Sequence, residues 1–146
     1  MLDHTRIGHS FAPFTVTIDP FQLRLFAKAV GEDRPEYIDL SATQAMGLRG
    51  LVAPPTFLFS IWMQDPVPLR LTSELNLELG RVLHGEQSFS YSAPIYSGDT
   101  VTVREQITDI YEKRGGALEF IVCDLDATNQ LGERVGTATC TTVYRN

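Results

Sequence analysis

The stretch Val52-Ala-Pro-Pro-Thr-Phe-Leu-Phe-Ser-Ile-Trp-Met63 decides the fold. Its second half, Phe57–Met63, is apolar on every side except at Ser60, and a helix of that kind is buried all round. Periodicity alone also permits a strand over so short a run. The preceding prolines favour a helix, because proline is well accommodated in a first helical turn. We therefore predict one buried helix in the middle of the chain, ended by Asp65-Pro66-Val67-Pro68.

Downstream of that helix, the sequence predicts antiparallel sheet. Up to Gly80 the pattern favours only a loop and one short helix. Four long strand patterns then follow, separated by turns that contain glycine: Val82–Ser92, Thr100–Tyr111, Leu118–Thr128 and Val135–Tyr144. Long strands with such connections predict a meander. One buried helix beside a long antiparallel sheet is an α+β arrangement.

Upstream of the central helix, the chain predicts a strand and two helices. Phe14–Ile18 alternates as a strand does. Asp19-Pro20 then begins a helix that Gly31 closes, and Ser41–Gln44 resembles a capping box for a short helix that ends at Gly47. The first helix places four apolar residues on one face: Leu23, Phe26, Ala27 and Val30.

Length and composition indicate one globular domain over residues 1–146, since 43% of the residues are apolar and 21% are charged. No apolar run approaches a membrane span, and Met1–Ser10 has no apolar stretch of the kind a signal peptide needs, so we expect a cytoplasmic protein. The net charge of −6 argues against nucleic acid as a partner.

The chain shows no pattern for a metal or cofactor. Its three histidines are scattered, and Cys123 and Cys140 lie in separate strands, where we expect two small buried hydrophobes rather than a disulfide. A glycine-rich phosphate loop and a nucleophile elbow are also missing from the sequence. We therefore expect neither metal nor cofactor.

Three stretches, in this order and spacing, resemble the MaoC-like hot-dog dehydratases. The first is Phe26–Asp39, which is similar to the motif of (R)-specific hydratases. The second is Val52–Phe57. The third is Leu83–Gln87, followed by Pro94–Thr100. The version with Ala-Pro-Pro-Thr and Leu-His-Gly-Glu-Gln resembles the N-terminal dehydratase-type domain, whose second half or second chain supplies the chemistry. The resemblance implies a hot-dog fold, in which a long antiparallel sheet wraps around a central buried helix.

The resemblance also implies a site from which the usual catalytic pair is missing. Active relatives use an aspartate and a histidine as acid and base, and backbone N–H groups at the start of the central helix to hold the thioester oxygen. Here Glu32 stands at the aspartate position and Tyr37 at the histidine position. Pro55, which has no N–H, matches the glycine that opens the helix. We therefore predict that the ordinary hydratase site is absent.

Asp39 and His84 remain as fallback catalytic candidates. Asp39 also fits a helix cap, and His84 also fits a hydrogen-bonded histidine at a strand edge. For binding an acyl thioester, the resemblance points to a set of five residues: Tyr37, Thr56, Phe57, Ser60 and His84.

Three functions stay open at this point. The first is the acyl-binding or catalytically weakened subunit of a (3R)-hydroxyacyl-thioester dehydratase or enoyl hydratase. The second is a non-enzymatic module that binds acyl-CoA or acyl carrier protein, and the third is a hot-dog thioesterase with Glu32 as its carboxylate. In each case we expect a homodimer, or a heterodimer with a second hot-dog chain, because a long edge strand invites pairing.

Overall fold

The computed structural model describes residues 2–146 and contains one five-stranded antiparallel sheet with short helices. The strands are β1 Phe14–Thr17, β2 Val82–Tyr91, β3 Thr100–Lys113, β4 Leu118–Thr128 and β5 Arg134–Arg145. The α-helices are α1 Pro20–Ala29, α2 Pro35–Ile38, α3 Leu40–Ala45, α4 Phe57–Trp62 and α5 Arg70–Glu74. Two 3-10 turns span His4–Arg6 and Leu79–Arg81. The α+β prediction is confirmed.

The order of strands in the sheet is β1-β3-β4-β5-β2. The predicted meander is correct for β3, β4 and β5 but wrong for β2, which pairs with β5 along its whole length. The segment 92–99 joins β2 to β3 across two intervening strands, a gap of about 14 Å at ~4.8 Å per strand. A connection of that length reaches this far easily, whereas a tight hairpin would not. As a result β2 forms one edge of the sheet.

Helix α4 lies against the inner face of the sheet, which gives the predicted hot-dog arrangement. Phe57, Leu58 and Ile61 are buried at 2%, 0% and 0% exposure. They pack with inward-facing strand residues such as Leu125 and Ala138. The sheet contributes side chains from alternate positions, as the period of a strand requires.

The prediction that this helix is buried on every side is wrong for its C-terminal half. Phe59, Ser60 and Trp62 are half-buried, and Met63 is 60% exposed. The helix has only six residues and ends at Trp62. Its second half therefore passes the edge of the core and borders a cavity, described below.

Asp19 caps α1 as predicted, by accepting hydrogen bonds from the N–H groups of Phe21 and Gln22. On the predicted apolar face of this helix, Leu23 and Ala27 are fully buried. Val30 is 54% exposed, because it lies just beyond the last helical residue.

Asp39, and not Ser41, caps α3. The Asp39 carboxylate accepts from the backbone N–H of Ser41 at 2.8 Å and from its hydroxyl at 2.6 Å. The predicted capping box, with Ser41 as the cap, is therefore wrong, because Asp39 already accepts hydrogen bonds from both the backbone N–H and the hydroxyl of Ser41. The alternative interpretation of Asp39 as a helix cap describes this contact correctly.

The two cysteines are free and buried, and they lie opposite each other on β4 and β5. Burial raises the pKa of the Cys123 thiol above its usual range. No helix in residues 2–146 combines the length and apolar character needed to cross a bilayer.

Candidate functional site

A cavity of about 400 Å³ opens at the N-terminal end of α4, and we call it the helix-start cavity. Two segments form most of its wall, residues 52–55 and residues 91–95. A backbone hydrogen bond from the Ala53 N–H to the Ile95 carbonyl, at 2.8 Å, joins these segments. The wall is lined by Tyr37, Val52, Ala53, Pro54, Pro55, Leu58, Tyr91, Ser92, Ala93, Pro94 and Ile95. Most of these side chains are apolar, which suits an aliphatic ligand.

The backbone N–H groups at the start of α4 are already hydrogen-bonded within the protein. Thr56 adopts a left-handed conformation, with φ of 73°, and its N–H donates to the Tyr91 hydroxyl at 2.9 Å. The Phe57 N–H donates to the Pro54 carbonyl at 3.1 Å. Because Pro55 has no N–H, a ligand oxygen at this point would have to displace the Tyr91 hydroxyl.

Glu32 and Tyr37, which we predicted to replace the usual catalytic pair, are joined through Arg34. The Arg34 guanidinium donates to both oxygens of Glu32, each at 2.9 Å, and to the Tyr37 hydroxyl at 2.6 Å. These hydrogen bonds from Arg34 lower the pKa of Glu32 below its usual value. Burial raises the pKa of Tyr37. Glu32 is therefore a weaker base than a free glutamate, and Tyr37 stays neutral near neutral pH.

Asp39 is engaged in its capping role. Hydrogen bonds from Ser41, and then from the Ala42 backbone, lower the pKa of Asp39. A carboxylate stabilised in this way is a poor proton acceptor, and it lies outside the wall of the helix-start cavity.

His84 lies in a different cavity from Tyr37. This second cavity, which we call the helix-end cavity, has a volume of about 230 Å³ and borders the C-terminal half of α4. His84 packs edge-on against Phe59, with 5.4 Å between ring centroids. The structure therefore separates His84 from the Glu32–Tyr37 cluster, so these residues do not form one catalytic group.

The remaining predicted binding residues do not line the helix-start cavity. The Phe57 side chain is buried against Phe26, with 5.2 Å between ring centroids. Thr56 is exposed, and Ser60 lines neither cavity. Of the five residues predicted to bind an acyl thioester, only Tyr37 lines the helix-start cavity.

Sequence reasoning missed two residues that hold the predicted site groups: Arg34 and Tyr91. Arg34 lies within the first motif, but an exposed arginine carries no signal that it bridges two neighbours. Tyr91 is 35 positions from Thr56, so only the fold brings them together. Within residues 2–146, no group of three or more histidine, cysteine or acidic residues could hold a metal ion.

Comparison with known families gives one match over most of the chain. The family described as FAS1-like, dehydratase domain region, matches residues 5–138. A curated relative, a UPF0336 protein of Streptomyces griseus, is 34% identical over 145 residues, which cover 99% of this chain and 95% of the relative. The relative's name assigns no activity.

Two solved structures share the fold closely. A MaoC-like dehydratase is 26% identical with a TM-score of 0.84, over 97% of this chain and 42% of that longer chain. The C-terminally truncated HadBC (3R-hydroxyacyl-ACP dehydratase) complex from Mycobacterium tuberculosis is 27% identical with a TM-score of 0.78, over 94% of this chain and 96% of that one. This chain therefore spans less than half of the first protein and almost all of the matched chain of the second.

Proposed function

This chain belongs to the family of FAS1-like dehydratase domain regions, and from that premise we propose that it is an acyl-thioester-binding subunit of a (3R)-hydroxyacyl-thioester dehydratase or enoyl hydratase. It binds acyl-CoA or acyl carrier protein in the cytoplasm, and a second hot-dog chain supplies the acid and base. One observation carries the proposal. The apolar helix-start cavity is present, while Glu32 and Tyr37, the groups predicted to replace the acid and base, are hydrogen-bonded to Arg34.

The two rival functions differ in how much support they have. A thioesterase would need Glu32 to activate water, but both of its carboxylate oxygens accept hydrogen bonds from Arg34. A non-enzymatic homodimer has the same support as the binding subunit, because binding needs only the cavity. A neighbouring gene that encodes an intact aspartate–histidine motif would favour the subunit.

Binding in the helix-start cavity is tested by filling it. Ala93 lines the cavity and is half-buried, so Ala93→Phe should weaken the binding of octanoyl-CoA by at least about tenfold, the equivalent of ~1.4 kcal/mol. The measurement is isothermal calorimetry on the full chain, with its partner once that is known.

A matched control makes the same substitution outside both cavities. Ala45 is exposed at the end of α3, and Ala45→Phe should leave the affinity within about twofold. Equal affinities for the two variants would place the ligand elsewhere, and wild-type protein that binds no thioester would refute the proposal.

The edge strand β2 motivates the proposed dimer. It pairs on one side with β5, and its other side carries no partner strand within residues 2–146. Unpaired strand edges associate unless they are covered. We expect light scattering at micromolar concentration to show a dimer or a dimer of dimers, and a species of only 16.3 kDa would contradict this.

A further inference from the structure

The outer face of the sheet, which points away from α4, changes character along the strands. One end of this face is polar, as expected where an antiparallel sheet meets water. Two rows of cross-strand neighbours form the polar end: Gln106, Asp124, Thr139 and Ser88, followed by Arg104, Asp126, Thr137 and Ser90. An apolar row on the same face therefore needs a separate explanation.

At the other end of the outer face, one row is apolar across four strands. Tyr111 on β3 lies opposite Phe120 on β4, and Phe120 lies opposite Val143 on β5. The row ends at the sheet edge with Leu83 on β2, which is 46% exposed and also borders the helix-end cavity. None of these four residues is a member of the buried core clusters in the described part of the chain. We call this row the outer apolar row.

Two charged rows of opposite sign flank the outer apolar row. Lys113 and Arg145 lie in the row on one side, and Asp109 and Glu86 lie in the row on the other side. All four charged residues are exposed. The Lys113 ammonium lies over the Phe120 ring, 4.9 Å from its centroid, which places this cation on the outer face. The outer face therefore carries a positive, an apolar and a negative row, in that order.

This order is complementary to itself. A two-fold axis that lies in the plane of the sheet, along the outer apolar row, brings the row of a second copy against its own counterpart. Lys113 and Asp109 each lie two residues from Tyr111 on β3, on opposite sides of that axis. The rotation exchanges the two sides, so Lys113 of each copy faces Asp109 of the other. Two sheets packed face to face stay close to aligned, which allows this contact.

The charges and the shape of this face select against other occupants. The negative row and the net charge of −6 disfavour a membrane surface, since anionic head groups attract basic segments. A small ligand needs a concave site, whereas the outer face is open. A second copy of this chain supplies both the apolar surface and the opposite charges.

We propose that the outer apolar row is an interface between two copies of this chain, packed face to face about a two-fold axis along the row, with Lys113 of each copy paired with Asp109 of the other. This contact leaves the edge of β2 free and lies apart from the helix-start cavity. It is therefore independent of edge-to-edge pairing and of thioester binding.

The size of the contact sets its strength. Three rows on four strands cover roughly 400 Å² per copy, at ~4.8 Å per strand and ~6.8 Å per row. This is about half of the ~800 Å² per partner in a standard interface, and it is typical of weak, reversible association. We therefore expect association that is detectable at a protein concentration of about 100 μM, in the micromolar range of affinity.

Val143→Lys tests the apolar row. Every residue of the row faces its own counterpart, so this substitution places two ammonium groups opposite each other. In sedimentation velocity, the assembly should fall to half its wild-type mass: from four chains to two if β2 edges also pair, and from two chains to one if they do not. Thr137→Lys, on the same strand and face but in the polar end, should keep the wild-type mass. Circular dichroism verifies that both variants fold.

A charge-swap cycle tests how the copies are paired, and it also serves if Val143→Lys does not fold. Lys113 and Asp109 lie ~13 Å apart along one strand, beyond the Debye length of ~8 Å, so they do not interact within one copy. Each interface contains two such pairs between copies. Lys113→Glu and Asp109→Lys should each weaken self-association by about tenfold, and the double variant should restore it to within about threefold of wild type.

Three results would overturn the proposal. The first is a wild-type mass in folded Val143→Lys, and the second is a double variant that associates no better than either single variant. The third is a Val143→Lys protein that loses only a complex with a different protein, because the outer apolar row would then belong to that partner.

Discussion

Purified by itself, the chain should hydrate crotonyl-CoA at less than ~0.01 per second, about a thousandfold below the ~10 per second of a median enzyme. The reason lies in the contacts at the expected site. Glu32 accepts two hydrogen bonds from Arg34, and Tyr37 remains neutral. Positioned acid–base groups contribute about 10²–10⁴ in rate, so their loss alone accounts for most of this deficit.

The helix start adds a second loss. The Thr56 N–H that could hold a thioester oxygen donates to the Tyr91 hydroxyl at 2.9 Å. Removing one such donor from an active site costs about 10²–10³ in rate. Burial also raises the pKa of Tyr91, so its hydroxyl stays neutral and does not become a general base near neutral pH.

The assay follows the loss of the enoyl absorbance in a homogeneous sample. Glu32→Ala, Asp39→Ala and His84→Ala are prepared in the same way, and a residual rate common to all of them marks a contaminating host hydratase. A wild-type turnover near 10 per second that one of these substitutions abolishes would show that the chain is a complete enzyme. Adding the catalytic partner should raise the rate by orders of magnitude if the subunit proposal is correct.

The sequence predicts the strands of this fold better than their neighbours in the sheet. The predicted bounds of β4, Leu118–Thr128, are those observed, because alternating burial is encoded residue by residue. The pairing of β2 with β5 is not encoded locally. It follows from the path of segment 92–99, which has no periodic pattern.

In the candidate site, too, features of single residues can be predicted from the sequence, whereas contacts between distant residues cannot. The replacements predicted at positions 32, 37 and 55 depend only on which residue stands at each position, and the capping role of Asp39 depends only on its place before α3. The link through Arg34 depends on side-chain geometry, and the contact between Thr56 and Tyr91 depends on the sheet. His84 and Tyr37, which we predicted as members of one set of binding residues, line different cavities, because β2 lies on the far side of β5 and its start borders the other end of α4.

Affinity for saturated acyl thioesters should increase with chain length, up to the length that the cavity accommodates. Each methylene transferred from water to an apolar wall contributes up to ~0.8 kcal/mol, or about fourfold in affinity. From C4 to C8 the full chain should therefore gain up to ~3 kcal/mol. The wall that provides this gain includes Val52, Leu58 and Ile95. Leu58 and Ile95 are buried at 0% and 3% exposure, so they belong to the packed core beneath the cavity.

Calorimetry across C4 to C12 thioesters gives the slope of binding free energy against acyl-chain length, and the chain length at which that slope levels off. In Ala93→Phe the slope should level at a shorter chain than in wild type, since the added ring occupies the space of the distal methylenes, whereas Ala45→Phe should reproduce the wild-type curve. A negative change in heat capacity that grows with chain length would show that apolar surface is being buried. Affinity that stays flat from C4 to C12 would mean that the acyl chain remains in water, and it would exclude the helix-start cavity as an acyl site even if the thioester head group binds.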